Sequence, residues 1–177
     1  MAEERGADDQ PEDAPDAAAG VEYDFRPVVH GDMVMLSRWL REPVVSTWWR
    51  DAVKQLAAIQ DHLSDPALDQ VIVLADGQPI AYAQISDVRH DASTLFDGLP
   101  QGTLAIDCFS APEGMGQGGA WLTDMAGRLL QNAQALVVDP EFGNTRAIAA
   151  YAKAGFSGNM LRLNEEGRQV RLMTRYR

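Results

Sequence analysis

The run QVIVLADGQPIAYAQISDV, residues 70–88, constrains the chain more than any other stretch. Asp76-Gly77 separates two segments dense in β-formers, the setting that two-residue turns prefer, so the flanking segments form an antiparallel pair. Around this hairpin the pattern alternates between strand and helix. YDFRPV (Tyr23–Val28) reads as a first strand, and Asp32 precedes a helical pattern through Leu36, Trp39 and Leu40 that Glu42-Pro43 breaks. A short segment, VVSTWWRD, leads into AVKQLAAIQDHLSD, whose Val53, Leu56, Ala57 and Ile59 share one helical face until Asp65-Pro66. Residues 87–102 have no sustained period and read as a long loop. Beyond it, Thr103–Phe109 reads as a strand, about Gln117 to Asn132 as a helix, and Ala135–Val138 as a short buried strand. A helix follows with Asn144 as its N-cap and Gly155 as its stop, and two last strands flank a turn at Glu165–Gly167. The order β-α-α-β-β-β-α-β-α-β-β predicts a mixed sheet with helices packed on it.

Charge divides the chain unevenly. The formal net charge is −11, of which residues 1–20, with seven acids and one arginine, hold −6. That stretch is rich in Ala, Asp, Glu and Pro and has no aromatic residue, which predicts a disordered acidic tail before a single domain over residues 21–177. An acidic chain does not suit nucleic acid, whose phosphates demand a basic face. There is no apolar run near 18 residues and no charged-then-apolar leader, so the expectation is a cytoplasmic protein with no membrane contact. Cys108 is the single cysteine, and no Cys/His cluster has metal-ligand spacing, so no metal is expected.

EGMGQGGAW, residues Glu113–Trp121, joins the strand at Thr103–Phe109 to the next helix and holds four glycines. A helix N-terminus entered through glycines lets backbone amides reach an anion with no Cβ in the way. A purely structural turn would favour the same residues, so the local pattern leaves both readings open. It is not a P-loop, because no Lys-Ser/Thr follows.

Together with VVDPEFGNTRAIAAYAKAGF (Val137–Phe156), this stretch resembles the two cofactor motifs of the GNAT acetyltransferase superfamily. The superfamily's Gln/Arg-x-x-Gly-x-Gly/Ala falls on Met115, Gly118 and Ala120, with Met115 in place of the polar residue. The resemblance implies acetyl-CoA as co-substrate, its pyrophosphate held by Met115, Gly116, Gln117, Gly118, Gly119 and Ala120, and its arm touched by Asn144. It also implies the GNAT fold, an α/β (α+β) arrangement with a mixed, mostly antiparallel central sheet of about seven strands and flanking helices. FRPVVHGDMVMLSRWLREPVVSTWW, DGQPIAYAQ and AIDCF extend the likeness to the aminoglycoside 6′-N-acetyltransferases and related siderophore acyltransferases, over roughly residues 22–177. The departure is the loop 87–102, acidic and aromatic in the aminoglycoside enzymes, which here sets Asp91, Phe96 and Asp97 against Arg89 and His90.

Acetyl transfer to an amine needs a neutral amine, a polarised thioester and a proton for the leaving thiolate. Asp107 lies within an apolar strand just before the glycine turn, and the resemblance gives its counterpart a catalytic or substrate-binding role; it is the candidate base. Tyr151, by resemblance, reaches the thioester sulfur as general acid. Trp48, Trp49 and Asp139 are candidates for the acceptor site, where an aromatic face holds a sugar ring or a cation and a carboxylate binds an ammonium. Cys108 alternates with Asp107 and is expected in the core. The expected acceptor is a primary amine of a small molecule, taken by a monomer or homodimer. Siderophore precursors, other amines and a catalytically silent acyl-CoA-binding module stay open at this point.

Overall fold

The computed structural model describes residues 20–90 and 94–177. Apart from Gly20, the acidic tail expected over residues 1–20 lies outside the described residues, as does Asp91 of the loop.

Twelve regular elements follow the expected order. They are β1 (Tyr23–Pro27), α1 (Met33–Arg41), α2 (Pro43–Ser46), α3 (Ala52–Asp61), β2 (Leu68–Ala75), β3 (Gln78–Asp87), β4 (Thr103–Ser110), α4 (Gly118–Leu129), β5 (Ala135–Val138), α5 (Thr145–Lys153), β6 (Ser157–Leu163) and β7 (Gln169–Tyr176). The sheet runs β1-β2-β3-β4-β5-β7-β6, antiparallel at every junction but β4–β5. Asp76 (φ 47°) and Gly77 (φ 78°) make the β2–β3 turn, both left-handed as that tight hairpin requires.

Local details differ from the sequence expectation in two places. The segment after Pro43 closes into one short helix, α2, because proline is pre-organised for a first helical turn. The long loop carries a 3₁₀ turn at Thr94–Phe96, with Leu95 buried against Val170 and Leu172. Asp32 precedes α1 as expected, and its carboxylate accepts from Arg26 Nη2 at 2.7 Å, Arg26 Nη1 at 2.8 Å and the Val29 amide at 2.9 Å.

Strand alternation divides the interior into two cores. Ile72, Tyr82 and Phe109 face α1 and α3, where they meet Leu36, Trp39, Leu40 and Ile59. Val73, Ala81 and Ile106 face the opposite way, toward Trp121, Leu122 and Met125 of α4 and Tyr151 of α5. Each buried large side chain contributes roughly 1.5–3 kcal/mol relative to exposure, so both faces of the sheet are secured.

The sheet is interrupted where it matters most. Parallel pairing between β4 and β5 covers only Thr103↔Ala135, Leu104↔Leu136 and Ala105↔Val137. Past that point the chain leaving β5 stays with β7, through Arg171 N–H to Pro140 O and Phe142 N–H to Gln169 O, both 2.9 Å. β4 continues alongside β3 to Ser110. The two strands therefore splay, and residues 106–110 of β4 border the opening.

Candidate active site

A cavity of about 590 Å³ lies on the α4–α5 side of this split, between β4, the glycine turn, α5 and the loop after α2. The four glycines of EGMGQGGAW have separable causes. A Cβ at Gly114 would meet the Ile80 carbonyl oxygen at 2.3 Å, and one at Gly119 would meet Lys153 Cβ at 2.9 Å, so both follow from close packing. Gly116 has φ +86° with open space around it, and Gly118 has room for a methyl group beside Ala150. The amides of Gly116, Gly118 and Gly119 have no hydrogen-bond acceptor among the described residues. Gly118 and Gly119 open α4, where the first N–H groups lack intrahelical partners and the dipole favours negative charge.

Met115, Gly116, Gly118, Gly119, Ala120 and Asn144 all line the cavity. Gln117 does not: its side chain turns toward β1 and accepts from Tyr23 Oη at 3.2 Å. Asn144 caps α5 by accepting from the Ala147 amide at 3.1 Å. Two cations at the cavity wall, Arg146 and Lys153, were not singled out in the sequence. Their signal was there: Arg146, Ala149, Ala150 and Lys153 stand at i, i+3, i+4 and i+7 on α5, so one helical face carries a cation at each end and small residues between. That surface fits a phosphate-bearing, elongated ligand such as acetyl-CoA, with free amides at the glycine turn and cations beside it.

Tyr151, on α5, is buried with its Oη 3.3 Å from Cys108 Sγ. Cys108 packs against the core, as expected, and also lines the cavity. Burial pushes the Cys108 thiol up to about 12. The same desolvation, with the thiol and the charges of Asp107 and Asp139 adding to it, raises the Tyr151 phenol well above its usual range. Both groups are therefore protonated at neutral pH.

Asp107 stands one residue away on the other face of β4, paired with Gln84 of β3. Its carboxylate is open to solvent on one side and crowded by protein on the others, where Gln84 Nε2 donates to Oδ2 at 3.3 Å. Crowding, opposed by hydrogen bonds from Gln84 and the Cys108 amide and assisted by the negative Glu166, pushes its carboxyl up to about 6. Asp139 is half-buried just past β5. Trp48 and Trp49 both line the cavity. Trp49 packs edge-on against Tyr82 and Phe109, at centroid distances of 5.8 and 5.0 Å, while Trp48 lies against the backbone at Gly143. Among the described residues of the loop 87–102, Phe96 packs against the Val170–Leu172 cluster and Arg89 pairs with Asp87 at 3.3 Å.

The model of the acetyltransferase (GNAT) domain matches residues 28–160. The chain belongs to the GNAT acetyltransferases. It is thus an N-acetyltransferase with acetyl-CoA as co-substrate, and the seven-stranded sheet is the GNAT fold. An aminoglycoside N(6′)-acetyltransferase type 1 from Klebsiella pneumoniae is 29% identical over 145 residues, which cover 75% of this chain and 72% of the relative. The structure of AAC(6′)-Ib in complex with paromomycin and acetyl-CoA superposes with a TM-score of 0.76 at 25% identity, over 88% of this chain and 93% of that one. An uncharacterised protein from Bacillus halodurans shares the fold at TM-score 0.79 and 21% identity, over 88% and 84% of the two chains. Among the described residues no helix is long and apolar enough to cross a membrane.

Proposed function

We propose that this GNAT enzyme acetylates a primary amine of a small molecule, in the manner of an aminoglycoside 6′-N-acetyltransferase, with Asp107 as the proton acceptor and Tyr151 as the proton donor. One observation supports the reading: Asp107 and Tyr151 stand on opposite faces of β4 just past the last β4–β5 pair, near enough for the carboxylate to raise the phenol, with Tyr151 lining the cavity and Asp107 outside its lining. Bound acetyl-CoA supplies an activated thioester. Asp107 Oδ2 binds the incoming ammonium and takes its proton, which a carboxyl held near 6 does while staying ionised at pH 7. Tyr151 Oη holds a proton for the leaving thiolate. A phenol raised above its usual range is a weak acid, and the desolvation that raises it also makes a thiolate released into the same surroundings a stronger base.

Trp48 and Asp139 flank the acceptor, and the amides of Gly118 and Gly119 with Arg146 and Lys153 take the phosphates. The aminoglycoside class is supported by the similarity to the Klebsiella enzyme and by the structural likeness to AAC(6′)-Ib. Thiol release from acetyl-CoA across aminoglycosides, polyamines and hydroxamate-precursor amines tests it. Turnover highest with an aminoglycoside bearing a 6′-amine is expected; turnover confined to another amine would replace the acceptor class, and acetyl-CoA binding without turnover by any amine would overturn the enzymatic reading.

A further inference from the structure

Behind Asp107 a chain of polar side chains runs into the α1–α3 core, and its protons do not balance. Gln70 Nε2 donates to the Ile59 carbonyl at 3.1 Å, which fixes the Gln70 amide with Oε1 toward Tyr82. Tyr82 Oη has two carbonyl oxygens in reach, Gln70 Oε1 at 2.6 Å and Gln84 Oε1 at 3.0 Å, but it carries one proton. Gln84 Nε2 in turn faces Asp107 Oδ2 at 3.3 Å. Gln70 and Tyr82 are buried, at 7% and 0% exposure, so water does not cheaply replace the Tyr82 proton at Gln70 Oε1, whereas Gln84 is half-buried and Asp107 is exposed.

While Asp107 is ionised, the chain is one donor short. The Gln84 amide donates to the carboxylate and leaves either Gln84 Oε1 or Gln70 Oε1 without a proton. Once Asp107 is protonated, a half-turn of the Gln84 amide satisfies everyone. The Asp107 hydroxyl donates to Gln84 Oε1, Gln84 Nε2 to Tyr82 Oη, Tyr82 Oη to Gln70 Oε1 and Gln70 Nε2 to Ile59 O. No atom but the carboxyl proton is added.

We propose that Gln70 and Tyr82 are positioning residues that act through the Gln84 amide: they weaken its donation to the ionised carboxylate and so raise the proton affinity of Asp107, the amide turning over as the carboxyl gains or loses its proton. The inference deepens the reading of Asp107 as proton acceptor and rests on it for its catalytic meaning. The other titratable groups that face Asp107 electrostatically are Glu166 on the β6–β7 turn, Tyr82 on β3, Cys108 on β4 itself and Tyr151 on α5. Only Glu166 among them adds a negative charge near neutral pH; the thiol and both phenols are held protonated by burial.

The sign of two substitutions separates this chain from simple burial. Tyr82→Phe removes both the surplus acceptor contact in the ionised state and the acceptor for Gln84 in the protonated one. Gln70→Met frees the Tyr82 proton for Gln84, satisfying the ionised state, although Gln70 makes no hydrogen bond to Asp107. Both changes lower the Asp107 midpoint, by about 0.5–1 pH unit for one hydrogen bond redistributed.

The full chain with ¹³C-labelled aspartate, titrated by NMR without substrate, measures that midpoint, the Asp107 resonance being identified by its loss in Asp107→Asn. In the wild type the Gln84 side-chain amide resonances are expected to titrate with the same midpoint as Asp107. Amide resonances indifferent to that titration overturn the proposal, as does an unchanged or raised midpoint in either variant that still melts cooperatively. The acid limb of kcat/KM should move with the midpoint. If the midpoint falls and the limb stays, the hydrogen-bond chain stands and the reading of Asp107 as catalytic base fails.

Discussion

Asp107 and Cys108 are neighbours on β4, yet they belong to opposite sides of the protein. Cys108 faces α5 and Tyr151, in a cavity whose desolvation keeps thiol and phenol protonated. Asp107 faces Gln84 and the α1–α3 side, with one flank open to solvent, and its carboxyl rises only to about 6. Desolvation raises all three groups, and because the starting acidities differ by several powers of ten the thiol and phenol on one face stay protonated at neutral pH while the carboxyl on the other stays mostly ionised. Strand alternation alone would keep the two groups apart. The premature end of β4–β5 pairing at Ala105↔Val137 opens the sheet between them.

Removing the acceptor face should have the largest effect. Asp107→Asn is expected to lower turnover about 10²–10⁴-fold with little change in melting temperature, and the loss should shrink as pH rises and more amine is neutral. In the wild type, activity should fall as pH drops through about 6, where Asp107 gains a proton. Near-normal turnover in a stable Asp107→Asn protein would sink its assignment and move suspicion to Asp139.

On the donor face, Tyr151→Phe should cost about 10²-fold in kcat, with no recovery at high pH because the missing proton is on the leaving-group side. A loss that vanishes with rising pH would mean that Tyr151 and Asp107 do not have distinct roles.

The glycine turn offers a test in stability units. Acetyl-CoA at about 100 times its Kd should stabilise the protein by about 2.7 kcal/mol. Gly118→Asp, which sets a carboxylate at the proposed phosphate position, should abolish that gain, while Gly118→Ala, whose Cβ would lie 3.4 Å from Ala150 Cβ, should largely keep it. An undiminished thermal shift in Gly118→Asp would remove the phosphate reading.

The smallest effect is expected at Cys108. Cys108→Ser keeps a polar partner for Tyr151 Oη and should change kcat by less than about tenfold, well below Tyr151→Phe. An equal loss would turn Cys108 from a neighbour of the proton donor into part of it.

Some of this could be read along the chain. The hairpin turn at Asp76-Gly77, the N-cap at Asn144, the stop at Gly155 and the seven strands are set by residues close in sequence, because turn dihedrals, caps and period-2 burial are local properties. The cavity-lining glycines and Tyr151 were legible through family resemblance. Alternation put Cys108 on the core face, where it packs, but could not say that the same face borders a cavity. Gln117 entered the phosphate set through the family resemblance, whereas the direction of its side chain is decided by Tyr23, 94 positions away.

Sequence by itself therefore determined the elements and the residue types at the split, since those depend on neighbours within a few positions. Tertiary structure decided the rest: where β4 and β5 part, which glycines serve packing and which leave free amides, and how Gln70, Tyr82 and Gln84 stand behind Asp107. These depend on pairings between distant segments, and proton affinities follow from the three-dimensional distribution of solvent, charge and hydrogen-bond partners, which no local pattern encodes.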